Sequence, residues 1–185
     1  MPPFATSQTP WALNCPDNFG GTSVPVNQSS DLVVRIAAAP SDLAAVRDLW
    51  REYWRSIDLP DEFQGFGEEL KSLPGVYGAD GGALLIAFAE RAPAGTIALR
   101  RLNDRAGEIK RLYLRPAFRG RGLGRYLLDN VIERGRAIGY RALYADTLPG
   151  MKEALALYQR QGFEKVDAYS PNPTPGAIFM KLQLG

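Results

Sequence analysis

Residues 111–129, RLYLRPAFRGRGLGRYLLD, admit few folded forms. An apolar, strand-like run meets Pro116, which lacks an amide and cannot continue a central ladder. A loop of alternating arginine and glycine follows. Leu123, Leu127, Leu128, Val131, Ile132 and Ile138 then recur at helical spacing up to Gly139. The stretch therefore predicts a strand, a glycine-rich loop and a helix in direct succession. The first amides of a helix have no internal acceptors, and its dipole adds partial positive charge, so this junction favours an anion. Gly120, Gly122 and Gly124 let the backbone approach a ligand and take positive φ. Arg119, Arg121 and Arg125 surround it with charge. Several amides converging on a phosphate group fit this composition.

The rest of the chain supplies a mixed α/β order. Residues 1–30 are rich in Pro, Ser, Thr, Asn, Gln and Gly without periodicity and predict a flexible extension; residues 31–185 predict one domain. Strand-like DLVVRIA precedes a helix for which Ser41 is a plausible N-cap. Val46, Leu49, Trp50, Tyr53, Trp54 and Ile57 form its apolar face. LPD at 59–61 breaks it, and Phe63, Phe66, Leu70 and Leu73 predict a shorter helix ended by Pro74-Gly75. ALLIAFAE, TIALRRL and EIKRLYLR read as three strands of an antiparallel meander, with turns at APAG and NDRAG. After the long helix come a strand (YRALYADT), a helix ending at Gly162, and two strands (FEKVDAY and AIFMKLQL) joined by SPNPTPG.

Several chemistries are excluded. There is no histidine, hence no Ser-His-Asp triad, no Cys-His pair and no histidine-held metal. The single cysteine, Cys15, forbids an internal disulfide and is compatible with a reducing cytoplasm. No run of about 18 apolar residues predicts a membrane span, and the first residues do not resemble a secretory signal, so a cytoplasmic protein is expected. Residues 100–125 hold nine basic and two acidic residues, a surplus suited to a small polyanion. Aromatic residues are not interleaved with it as stacking on nucleic acid would require.

Two familiar phosphate loops fail on this sequence. The Gly-x-x-x-x-Gly-Lys-Ser/Thr pattern is missing, and Gly-x-Gly-x-x-Gly breaks at Arg125 or Leu127. What remains is Arg119-x-x-Gly122-x-Gly124. In its strand-to-helix setting, RGRGLG resembles the acyl-CoA signature of the GNAT superfamily of N-acetyltransferases. ALALYQRQGF (154–163) resembles the second block of that family, and the two blocks are about 35 residues apart. The resemblance spans roughly 32–184 and implies the GNAT fold: an α/β architecture with a mixed, mostly antiparallel central sheet flanked by helices.

The resemblance also implies roles. Acetyl-CoA is the implied co-substrate, with no metal. The backbone of Leu112, Tyr113 and Leu114 would bond the pantetheine arm like an added strand. The amides of Arg119, Gly120, Arg121, Gly122, Leu123, Gly124 and Arg125 would cradle the pyrophosphate. Tyr158 matches the family tyrosine that protonates the leaving thiolate; a phenol, with a pKa of about 10 in water, is protonated at neutral pH. Glu108 is a candidate general base, and Asp146 a second. Lys110 shares the face of Glu108 by period-two alternation, and a neighbouring cation weakens a carboxylate as a base. Water-mediated deprotonation is a third option. Met151 stands where many members carry an asparagine that contacts the cofactor; Thr147 or Lys152 is placed to compensate. Trp50, Tyr53, Trp54, Phe63 and Phe66 form either an aromatic acceptor pocket or plain core. The acceptor implied is a small-molecule amine rather than a protein, with no membrane or nucleic-acid partner, and homodimers are common in the superfamily. A catalytically weak acyl-CoA sensor of the same fold is the alternative reading.

Overall fold

A computed structural model of the chain describes residues 32–57, 65–170 and 176–185. The extension at 1–30, the break at 59–61 and Phe63 lie outside the described residues. The order is β1 (Val33–Ile36), α1 (Pro40–Ser56), α2 (Phe66–Ser72), β2 (Ala83–Ala89), β3 (Ala92–Asn103), β4 (Ala106–Leu114), α3 (Leu123–Ile138), β5 (Ala142–Thr147), α4 (Lys152–Arg160), β6 (Glu164–Val166) and β7 (Ile178–Gln183). Short 3-10 turns occupy Gly75–Tyr77 and Pro116–Phe118. Among the described residues no helix is long and apolar enough to cross a membrane.

The strands form one sheet in the order β1-β2-β3-β4-β5-β7-β6. Every neighbouring pair is antiparallel except β4 and β5. The expected meander is β2-β3-β4, and the expected fold class is the one observed. Both faces of the sheet are covered. Leu84, Ile86 and Ala98 pack against Val46, Leu49, Trp50 and Trp54 of α1. Leu85, Ile97, Leu99, Ile109 and Leu143 pack against Leu127, Leu128 and Val131 of α3. A strand buried on both sides needs apolar residues at successive positions, which is why ALLIAFA does not alternate.

Three local expectations change. The N-cap of α1 is extended Ala39, not Ser41: Pro40 takes the first helical position, where its missing amide costs nothing and its φ is already helical. The β2–β3 turn is Glu90-Arg91, both at positive φ, rather than APAG. Those four residues belong to β3, where a bulge opposite Ala87 and Phe88 accommodates Pro93. Only Glu164–Val166 of FEKVDAY pairs as strand, so Tyr169 lies in the following loop. The stop of α3 is as expected: Gly139 takes φ 94°, and the amides of Gly139 and Tyr140 cap Arg136 and Gly135.

Candidate active site

The site begins where two strands part. β4 and β5 pair in parallel over four rungs, from Ala106 with Ala142 to Ile109 with Ala145. Beyond Ile109 β4 has no β5 partner, although β3 still pairs it as far as Leu114. A bulge drives the separation: one residue of β3, Ile97, stands opposite Arg111 and Leu112, and Arg111 takes φ 58°. Over Leu112–Leu114 the edge of β4 that faced β5 is free of strand pairing, the condition for strand-like addition of a ligand, although the Leu114 carbonyl on it accepts from Arg119.

The arginine–glycine loop continues from that edge. Gly120 and Gly122 take φ 74° and 80°, the left-handed region that glycine enters without strain. The first helical bond of α3 runs from the Tyr126 amide to the Gly122 carbonyl. Among the described residues, the amides of 120–125 donate to no backbone acceptor. Gly124 serves differently: a Cβ there would lie 3.3 Å from Leu114 and 3.5 Å from Leu157, so it lets α3 start close to the end of β4. Arg119 turns back, its Nε donating to the Leu114 carbonyl at 3.0 Å, and its guanidinium lies over the Tyr113 ring. Arg121 reaches Glu90 at 3.3 Å and Arg125 reaches Asp129 at 3.6 Å, both as exposed pairs. Such pairs contribute little to stability, so both cations can turn to an arriving anion.

Tyr158 is the only buried residue of α4, its ring centroid 5.1 Å from that of Phe163. Its hydroxyl has no hydrogen-bond partner among the described residues, yet is not sealed from solvent. Burial pushes its phenol well above the usual tyrosine range, with Tyr53 and Asp146 adding to the effect. Tyr158 thus stays protonated. Met151 stands at the N-cap of α4, where its backbone caps the turn and its side chain makes no cap bond. Thr147, at the end of β5, is buried with its Oγ1 unpartnered among the described residues.

Glu108 is fully buried on the paired part of β4. Its carboxylate accepts from Arg100 Nε at 2.5 Å and from the Tyr169 hydroxyl at 3.0 Å, with Lys110 Nζ at 3.8 Å. Lys110 donates to Asp146 at 2.9 Å. Tyr169 packs against Tyr144 and Phe179, and its phenol is pushed far up by burial, then by Glu108 and Asp146. The family resemblance implies that the AYSPNPTPG loop borders the acceptor pocket, and its Ser170 lines this cavity, but the resemblance does not single out Tyr169 as the partner of Glu108, and the last residues of FEKVDAY read as strand.

Glu108, Lys110 and Asp146 face a cavity of about 620 Å³ that Arg100, Arg111, Glu69 and Ser170 also line. It is a charged cavity, not the aromatic pocket considered from the sequence. Trp50, Trp54 and Phe66 are core, with Trp54 stacked on Phe66 at 4.0 Å. Their cation is internal. The Arg111 guanidinium lies within 5.8 Å of all three rings and donates to Glu69, which also accepts from Tyr77. Tyr53 is half-buried near Tyr113.

The family model of the acetyltransferase (GNAT) family matches residues 43–163. An uncharacterised N-acetyltransferase of Schizosaccharomyces pombe is 31% identical over 157 residues, 84% of this chain and 96% of that protein. The fold matches that of an acetyltransferase from Streptococcus agalactiae with a TM-score of 0.72 at 22% identity, covering 84% of this chain and 99% of the other. It also matches a Salmonella typhimurium protein solved with its cofactor acetyl-CoA, with a TM-score of 0.67 at 21% identity over 84% and 95%. With a family match over most of the chain and a freed strand edge leading into an amide-lined loop, this protein belongs to the GNAT family of acetyltransferases.

Proposed function

We propose that the protein transfers the acetyl group of acetyl-CoA to the primary amine of a small molecule, by direct attack of the amine on the thioester. The observation that carries this reading is the parting of β4 from β5 beside amides at the start of α3 that donate to no backbone acceptor among the described residues. Acetyl-CoA, when bound, supplies an activated acyl carbon. Residues 112–114 would hold its arm by backbone bonds and the amides of 120–125 its pyrophosphate, while the Arg119 amide, expected among them, donates instead to the Pro116 carbonyl at 3.2 Å. Thr147, whose buried hydroxyl at the end of β5 has no partner among the described residues, would supply the polar contact that Met151 cannot make.

The chain's own groups then manage protons. An amine arrives as an ammonium and must lose one before it can attack; Glu108, which lines the cavity, takes it up, with Asp146 alongside. As the nitrogen–carbon bond forms and the carbon–sulfur bond breaks, the Tyr158 hydroxyl gives its proton to sulfur. The second nitrogen proton restores the phenol. A phenol held protonated by burial suits a donor that must not ionise early.

The test is acetyl-CoA calorimetry followed by thiol release across a panel of amines. Binding with acetylation of at least one amine supports the reading. Binding without transfer to any amine favours a sensor, and no binding removes both. Tyr158→Phe is expected to lower kcat about 100-fold while changing the acetyl-CoA Kd less than threefold, roughly the loss of one general acid. Unchanged turnover would take Tyr158 out of the mechanism.

A further inference from the structure

The cavity's charges are matched in pairs, and the pairing shows which group remains for a ligand. Arg111 is spent on Glu69 and is enclosed by three rings, with 7% of its side chain exposed. Lys110 is 13% exposed and held by Asp146, with Glu108 as its second neighbour. Glu108, Glu69 and Asp146 are each neutralised by one of these cations or by Arg100. Glu68 lies at the rim, exposed, and pairs with Lys71.

Arg100 differs. Its Nε–H donates to Glu108, but its two terminal nitrogens have no acceptor among the described residues, and 41% of its side chain is exposed. A guanidinium has five N–H donors in a planar fork, and the Nη edge matches a carboxylate or similar oxyanion with two parallel bonds. Arg100 is fixed by Glu108 at one edge and open at the other. A fork anchored this way loses little side-chain freedom when it takes up a ligand.

We propose that Arg100 is the acceptor anchor, and that the amine acetylated by this protein carries a carboxylate or similar anionic group, as an amino acid does. The proposal rests on the transferase reading of the same cavity and narrows its substrate class. A zwitterion complements the site. Its anion meets the open edge of Arg100 while its ammonium lies towards Glu108 and Asp146, where the proton is to be taken. An apolar amine gains less, because its hydrocarbon would displace water from charged groups without replacing those hydrogen bonds.

The experiment compares matched acceptors differing by one carboxylate: leucine with isoamylamine, phenylalanine with phenethylamine, and 4-aminobutyrate with propylamine. Wild-type kcat/KM should favour at least one acid over its partner by about 10- to 100-fold, the worth of a charge-assisted pair. Arg100→Gln should bring the acid-to-amine ratio of kcat/KM to about 1 by raising KM for the acid, any effect through Glu108 being shared by both members of a pair and cancelling in the ratio; Arg100→Lys, which keeps the charge but loses the fork, should give a ratio in between. Wild-type indifference to the carboxylate, or preference for a diamine such as putrescine, would overturn the assignment. So would an equal loss on both members of a pair, which would mean that Arg100 acts through Glu108 alone. Calorimetry of the same acids against the CoA-bound protein reads the site without turnover. Binding that Arg100→Gln abolishes supports the anchor even if no amine is acetylated, and absence of binding by every acid overturns it even if plain amines are acetylated.

Discussion

Thr147 is a residue whose side chain is in the wrong solvent. Its hydroxyl is buried at the end of β5 and has no partner among the described residues, while the backbone around it is ordered strand. An unpaired buried hydroxyl costs on the order of 1–3 kcal/mol. Thr147→Val removes the hydroxyl and keeps the branched shape, so it should raise the stability of the cofactor-free protein by about 1 kcal/mol. Urea unfolding without ligand checks this, and a destabilised variant would show that the hydroxyl has a partner. If the same hydroxyl bonds acetyl-CoA, the variant should also bind it about fivefold more weakly, the loss of one ordinary hydrogen bond. Tyr158 is the opposite case. Its ring was readable from the spacing of the second sequence block, but whether its hydroxyl reached open space depended on the packing of α4 against Phe163. Glu108 was readable as a carboxylate on β4. Its bond to Tyr169 was not, because that contact joins residues 61 apart.

At the scale of elements, β4 does the most. Its first half is a paired central strand, and its second half is an open edge made by the bulge at Arg111. Arg111 then holds α2 to the sheet through Glu69, and the ring trio of α1 and α2 closes over it. Removing one partner of a buried ion pair strands the other charge. Glu69→Ala should therefore cost about 3 kcal/mol, while the double change Glu69→Leu with Arg111→Met should cost clearly less. Urea unfolding of the two single variants, Glu69→Leu and Arg111→Met, and of the double decides it; a double loss equal to the sum of the single losses would mean the pair is not energetically coupled. This arrangement decides between the two readings of the aromatic stripe, making Trp50, Trp54 and Phe66 core. A helical stripe of Trp, Tyr and Phe says that a face is buried, but it does not distinguish a ligand from the protein's own arginine as the cation it covers.

For the whole molecule, buried phenols set an alkaline limit. Tyr77, Tyr158 and Tyr169 are each pushed up primarily by burial. Unfolded, they ionise near pH 10. Above that pH the unfolded chain sheds protons that the native chain retains, so stability is intact below about pH 10 and falls as pH rises beyond it. Thermal melts from pH 8 to 11 should show a steep drop in Tm above about pH 10. Phenolate absorbance from these three tyrosines should appear together with loss of structure, not before it; early, non-cooperative titration of all eight tyrosines would contradict their burial.

The sequence by itself determined the element order, the sheet-and-helix class, the phosphate-suited junction at 119–125 and the stop of α3 at Gly139. All of these are written in local periodicity, in glycine and proline, and in motifs whose parts lie close along the chain. Tertiary structure alone decided where β4 leaves β5, that Tyr169 meets Glu108, that Arg111 occupies the aromatic cluster, and that Arg100 keeps one edge open to a cavity. Those facts depend on strand register and on contacts between distant segments. Periodicity specifies which face of an element is buried, but not which residue of another element lies against it.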